Sequence, residues 1–309
     1  MQKEKLKQAG RILEEQSIDI WLTLVRETAM NNDPVLPFIS TVEFTALSGI
    51  MVIKGGKTVV LAGNNDAEGI KQTQLYDEVI TYSGNFKDAL REFLEDGKVL
   101  KLAVNYSIED VASDGLSHGL FLMLQDIVNS AGGNIEIVSA APIITKLRGN
   151  KSLAEKKLII NAIHTAEQIF QDARDFIKEG VTEQQIHQFF TDRMKHYGVQ
   201  SSWQAAQCPG VMLGPQSVPG HNAPTEITAC KGDVMDIDFG VLQNGYCSDL
   251  QRTYYVLEDN EECACEEVQR AFDTLKEAVR KAAEFMKPGV TGEEADAAAR
   301  NYVVSQGYP

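Results

Sequence analysis

The segment VMDIDFG at residues 234–240 alternates apolar and acidic side chains, and YCSDLQRTYY at residues 246–255 follows it across Asn244-Gly245. Asn-Gly between two such runs is a strong hairpin signal, because both turn positions need positive φ and these two residues adopt it at low cost. A two-residue turn sets the register: opposed positions sum to 489, so Gly240 faces Asp249, Asp238 faces Gln251 and Asp236 faces Thr253. Side chains alternate faces along a strand, which puts Asp236, Asp238, Asp249, Gln251 and Thr253 on one face. Asp238 and Asp249 then become diagonal neighbours, with Cβ atoms within about 7–8 Å. Like charges at that spacing are destabilising unless they are protonated, solvated or bridged by cations. Two divalent ions roughly 3.5–4 Å apart would resolve the conflict, with oxygen or nitrogen ligands drawn from elsewhere in the fold. A solvated acidic face on an acidic chain is the alternative, and spacing by itself leaves both open.

The remaining reactive side chains form weaker patterns. His221 follows Pro219-Gly220 in a loop, 17 residues before Asp238. His164, His187 and His196 fall on helical patterns and His118 precedes one, so these four read as structural or solvent-facing. Trp203 reads as core packing. Cys263 and Cys265 sit among Glu261, Glu262, Glu266 and Glu267 with no second thiol pair, a solvated helix start rather than a metal knuckle. Five cysteines are an odd number, and the N-terminal MQKEKLK carries no export signal. Reduced thiols and a cytoplasmic setting are therefore expected.

The elements that must position the aspartates belong to a chain of 309 residues, long enough for two domains. Forty-four acidic against 29 basic side chains give a net charge of −15. Such a field repels phosphate backbones and anionic lipid surfaces, which argues against nucleic acid, and the apolar runs are too short to cross a bilayer. Residues 1 to about 145 alternate helical and strand-like segments: a helix at 3–15, an apolar run at 18–25, two strands at 49–62, further strands at 79–82 and 100–104, and helices at 85–95 and 120–130. This is an α/β domain with a mixed sheet, and its most polar stretch, residues 26–34, reads as a surface loop. Ser152 and Glu155 then form a capping box that opens a long amphipathic helix running to Gly180.

The second domain repeats itself. FIKEGVT at residues 176–182 recurs 109 residues later as FMKPGVT at 285–291, with six identities over the 23 positions that lead to Gly198 and Gly307. Thr182 with Gln185, and Thr291 with Glu294, both form capping boxes after a helix-ending glycine. In the first half a loop and the hairpin follow; in the second the sequence stops at Pro309. The expectation is a fragment whose second-half strands are absent and which is inactive alone. A complete protein that ends early is the rival, at the cost of an uncovered apolar face.

Taken together, Gly220-His221, Lys231-Gly232-Asp233, Ile237-Asp238-Phe239-Gly240, Asn244-Gly245-Tyr246 and Ser248-Asp249-Leu250-Gln251-Arg252-Thr253 resemble the signature of the pita-bread metallopeptidases: methionine aminopeptidase, aminopeptidase P and prolidase, with metal-free creatinase as a relative. The resemblance spans essentially the whole chain and is weakest before Lys146. Residues 147–152 with Glu155 are similar to the linker behind a creatinase-type N-terminal domain. The resemblance implies an α/β fold: a creatinase-like domain at residues 1–147, then a pita-bread catalytic domain at 148–309 of two pseudo-symmetric halves, the second truncated. It implies that Asp238 and Asp249 are two of five ligands to a pair of divalent ions, manganese first and cobalt or zinc next, with Asp249 bridging. His221 would face the substrate or the tetrahedral intermediate, and one histidine and two glutamates would lie beyond Pro309. Gln251 stands where the pattern usually has threonine, and Asp236 where a non-acidic residue is commoner; neither removes a ligand. Both aspartates argue against creatinase, and the large first domain argues against methionine aminopeptidase. The implied activity is an exopeptidase cleaving the bond before proline in short peptides, as an Xaa-Pro aminopeptidase or dipeptidase and a possible homodimer. A non-catalytic pita-bread module that binds peptides or proteins is the alternative.

Overall fold

The computed structural model describes residues 1–96, 101–132, 134–218, 220 and 222–309. Leu100, expected to open a strand, and His221 lie outside the described residues. The chain divides into two compact units, Met1–Lys156 and Lys157–Pro309.

In the first unit, helix α1 (Gln2–Gln16) leads into strand β1 (Ile20–Val25), whose six residues are all buried. The hairpin β2 (Ser48–Ile53) and β3 (Thr58–Gly63) follows, then β4 (Glu78–Tyr82), β5 (Lys101–Val104) and β6 (Glu136–Ser139). Helices α2 (Leu36–Ile39), α3 (Asn64–Gln72), α4 (Phe86–Asp96), α5 (His118–Ser130) and α6 (Ala141–Gly149) connect them. Among the described residues the sheet order is β4-β3-β2-β1-β5-β6, mixed as expected: β1 and β2 are antiparallel, while β1 and β5, β5 and β6, and β3 and β4 are parallel. One apolar layer joins Leu6, Leu13, Ala67, Ile70, Ile143 and Leu147 from α1, α3 and α6 to one face. The other joins Phe86, Leu90, Leu120 and Leu124 from α4 and α5 to the opposite face. Burial on both faces is why these strands read as continuous apolar runs.

Three details depart from the expected pattern. Helices α3 and α6 and strand β6 go beyond the segments that periodicity marks. His118 opens α5 instead of preceding it, with the Ser117 hydroxyl accepting from the Leu120 N–H at 3.4 Å. The polar stretch at 26–34 is not wholly a surface loop, since Asp33 is buried. Its Oδ2 accepts from Asn105 Nδ2 at 2.9 Å, and Asn105 Oδ1 accepts from Trp21 Nε1 at 2.6 Å. Burial raises the Asp33 pKa above the ordinary aspartate range.

Helix α7 (Leu153–Ala173) opens with the expected capping box, Ser152 N donating to Glu155 Oε2 at 2.6 Å and Glu155 N to Ser152 Oγ at 3.3 Å. Glu155 also pairs at 2.7 Å with Lys5, and both side chains are almost completely buried. The helix stops at Ala173, short of Gly180, because Arg174 N and Phe176 N bond three residues back and tighten the last turn.

The second unit contains α8 (Glu183–Tyr197), strands β7 (Gln200–Ser201), β8 (Gly210–Leu213), β9 (Val234–Phe239), β10 (Val241–Gln243), β11 (Tyr246–Cys247) and β12 (Leu250–Tyr255), and helices α9 (Glu266–Phe285) and α10 (Gly292–Ser305). Ala162, Ala166, Ile169 and Phe170 of α7 and Ile186 and Phe190 of α8 pack on Met235, Ile237 and Phe239. Trp203 packs against this core, as expected. Both capping boxes of the repeat are present, at the starts of α8 and α10. The copies differ in burial: the apolar stripe of α7 is covered, whereas Leu275, Val279 and Met286 along and just beyond α9 are 56%, 68% and 61% exposed. All five cysteines are free, and no described helix is long and apolar enough to cross a membrane.

Candidate metal centre

The turn that organises the site forms as its residues dictate: Asn244 and Gly245 take φ of 52° and 80°. The register follows, with Asp238 opposite Gln251, Asp236 opposite Thr253 and Gln243 opposite Tyr246. One expectation needs correction, because the ribbon does not run as a single hairpin. It splits at Gly240, so that β9 and β12 join β8 in one sheet while β10 and β11 join β7 in another. A Cβ at Gly240 would lie 1.9 Å from the Ser248 carbonyl oxygen and 2.7 Å from Ser202 Oγ. Ser202 Oγ donates to that same oxygen at 2.7 Å, and Ser248 Oγ accepts from Val241 N at 3.0 Å. The chain bends there because glycine permits backbone and side chain to close on it.

Met235, Ile237 and Phe239 point into the core, and the alternation sends Asp236 and Asp238 to the other face. Asp238 is brought within hydrogen-bonding reach of Asp249 and Gln251. Burial, then the Asp249 charge and the hydrogen bond shared with it, push Asp238 above the usual aspartate range; Gln251 opposes this and Asp236 adds to it. Burial likewise raises Asp236, with Thr253 Oγ1 donating to its Oδ1 at 3.3 Å. Asp249 is exposed. On the other side of β9, Gly210 lies opposite Asp238, where an added Cβ would sit 3.7 Å from the Asp238 Cβ.

Asp238 Oδ1 is buried and has no hydrogen-bond partner. An orphaned carboxylate oxygen beside a second carboxylate fits a cation, which would pair the oxygen and cancel the repulsion. Among the described residues no group of three or more His, Cys, Asp or Glu side chains is arranged to hold a metal ion. The structure brings Asp238 and Asp249 together; His221 falls outside the described residues. His164, His187 and His196 lie on α7 and α8, and His187 Nε2 bonds the Ala205 carbonyl at 3.0 Å.

Sequence reasoning missed Gly210 and Glu183. Gly210 gives no signal beyond opening a short apolar run. Glu183 looks like an ordinary acidic residue in a first helical turn, yet it is 2% exposed. Its Oε1 accepts from Ser217 Oγ at 2.7 Å, and its Oε2 accepts from Thr225 N at 2.8 Å and Thr225 Oγ1 at 2.7 Å.

Comparison with known proteins agrees with this architecture. The profile of metallopeptidase family M24 matches residues 157–309, the same span as the second compact unit. The uncharacterized peptidase YqhT of Bacillus subtilis is 25% identical over 265 residues, covering 86% of this chain and 70% of that protein. Among solved structures, an Xaa-Pro dipeptidase from Bacillus anthracis superposes with a TM-score of 0.68 at 21% identity, over 100% of this chain and 79% of that one. The prolidase from Pyrococcus horikoshii gives a TM-score of 0.66 at 22% identity, over 99% and 78% respectively. The fold is the mixed α/β pita-bread architecture of these enzymes. Through residues 157–309, the chain belongs to metallopeptidase family M24.

Proposed function

We propose that the protein is an exopeptidase hydrolysing the bond before proline in short peptides, with Asp238 and Asp249 holding part of a site for two divalent ions, manganese first and cobalt or zinc next. The observation that carries this reading is the buried, unpartnered Oδ1 of Asp238 beside Asp249. Membership of a metallopeptidase family and the prolidase-like fold support it. When bound, such ions supply polarisation of the scissile carbonyl and activation of water. The chain's own residues have separate tasks: Asp238 and Asp249 would hold the ions, and Gln251 would orient the Asp238 carboxylate by hydrogen bonding. His221 donates to the oxygen on which charge develops. The same proposal takes residues 1–147 as a creatinase-type domain and 148–309 as the pita-bread catalytic domain, in a cytoplasmic homodimer.

The test is hydrolysis of Xaa-Pro dipeptides and Xaa-Pro-Xaa tripeptides by the product of the complete gene with manganese or cobalt. Turnover is expected, and the dipeptide-to-tripeptide ratio separates dipeptidase from aminopeptidase. Absence of turnover on every such peptide overturns the reading. A second reading, a peptide-binding module without catalysis, draws on the lack of a three-ligand group among the described residues. Retained peptide binding without turnover would favour it.

A further inference from the structure

Strand β4 closes one end of the first unit's sheet and, among the described residues, pairs only with β3. Ile53 N donates to the Lys57 carbonyl at 2.8 Å, which turns Lys57, Val59 and Leu61 toward β2 and the intervening Thr58, Val60 and Ala62 toward β4. In the parallel register the groups of Val60 and Ala62 are taken up by Glu78, Ile80 and Tyr82, so Val79 and Thr81 direct their N–H and C=O groups away from the sheet. The strand reads EVITY, β-branched and aromatic, with neither proline nor lysine, two of the devices that blunt a free edge. Such an edge is a template for another strand.

Beside it runs a groove of about 1020 Å³ between β4, the turn at residues 83–85 and α4. Ile80, Tyr82 and Phe93 supply its apolar lining. Tyr82 is fixed there, its Oη donating to the Leu47 carbonyl at 2.7 Å and its ring meeting Phe86 edge-on at 5.5 Å. Asp88, Glu92 and Glu95 also line the groove, and their spacing of i, i+4 and i+7 places them on one stripe of α4. Arg91 pairs with Asp88 at 3.0 Å and with Glu95 at 3.8 Å, which leaves Glu92 without an ion-pair partner among the described residues and the stripe with an excess of negative charge. Glu78 at the start of the strand is already matched by Lys57 at 2.7 Å.

We propose that this edge is a docking surface for an extended basic segment of another protein, added to the sheet as a further strand. Val79 and Thr81 supply the main-chain pairing, the apolar lining takes side chains from one face of the segment, and Asp88, Glu92 and Glu95 take its lysine or arginine groups. A second copy of this chain fits poorly, because pairing two β4 edges brings two acidic α4 stripes into one interface between molecules of net charge −15. None of these residues belongs to the candidate metal centre.

The experiment uses the product of the complete gene and a short peptide alternating lysine with valine, acetylated and amidated so that no free terminus is offered for cleavage. Two control peptides carry glutamate in place of lysine, or N-methyl groups at alternate residues that remove main-chain donors. Calorimetric titration at low salt follows binding, and amide hydrogen exchange locates it. The lysine peptide is expected to saturate and to slow exchange within residues 78–82. Both control peptides should bind about tenfold or more weakly, and so should the lysine peptide to the variant E92K/E95K. Thr81→Pro, which removes an outward N–H and leaves the β3 pairing intact, should weaken binding to the same degree. If Thr81→Pro fails to fold, E92K/E95K still decides. Lack of saturation, equal affinity for either control peptide, unchanged exchange within residues 78–82, or unchanged affinity in E92K/E95K overturns the proposal. Self-association that protects residues 78–82 without any peptide would assign the edge to a second copy and also overturn it.

Discussion

Asp238 carries a conflict that its own strand cannot relieve, because a buried acceptor without a partner costs about 1–3 kcal/mol and a neighbouring carboxylate adds repulsion. Elsewhere the same chain resolves its buried charges. Lys5, with none of its side chain exposed, pairs with Glu155 and also donates to the Leu147 carbonyl at 2.6 Å and the Asn150 carbonyl at 3.0 Å. Replacing Lys5 by methionine leaves Glu155 buried without its cation. We expect a loss of about 3–5 kcal/mol in urea unfolding of the first unit; a loss below about 1 kcal/mol would show that the pair is dispensable. These two sites differ in how far they can be read from sequence. Asp238 and Asp249 are legible because Asn-Gly fixes their register and the alternation fixes their face. Lys5 lies in a charged N-terminal stretch that reads as solvated, and only carbonyls more than a hundred positions away reveal its burial. Glu183 is hidden in the same manner, its partners Ser217 and Thr225 reaching it only through the fold.

Strand pairing in the ribbon follows from a two-residue turn, but the division of that ribbon between two sheets does not. The break depends on Ser202, outside the ribbon, closing on Ser248 and Gly240. Gly240→Ala places a methyl group inside contact distance of the Ser248 oxygen. It should destabilise the second unit by about 1–3 kcal/mol and weaken manganese binding, since Asp249 follows Ser248 directly. Calorimetry on the variant checks both effects, and wild-type stability would remove the structural role given to the bend. Helices were unevenly legible for a related reason. Thr182 and Thr291 announce α8 and α10 through local capping chemistry, whereas α3 (NNDAEGIKQ) is polar, contains a glycine and buries only Ala67 and Ile70. Such a helix is held by packing against the sheet more than by propensity.

The chain combines a first unit closed on both faces of its sheet with a second unit in which one helix pair is covered and its repeat-related pair exposes an apolar stripe. The repeat is legible in the sequence as FIKEGVT and FMKPGVT, because its helix stops and starts use local rules. The difference in burial was not visible, since the apolar periodicity is similar in both copies. Net charge of −15 fits a molecule that attracts cations to an acidic face. The central claim is that Asp238 and Asp249 hold divalent ions. Calorimetric titration of the metal-stripped product of the complete gene with manganese tests it, beside Asp238→Asn and Asp249→Asn. The account predicts saturable binding by the wild type that falls by about tenfold or more in affinity in each variant. Equal affinity and stoichiometry in all three proteins would contradict it.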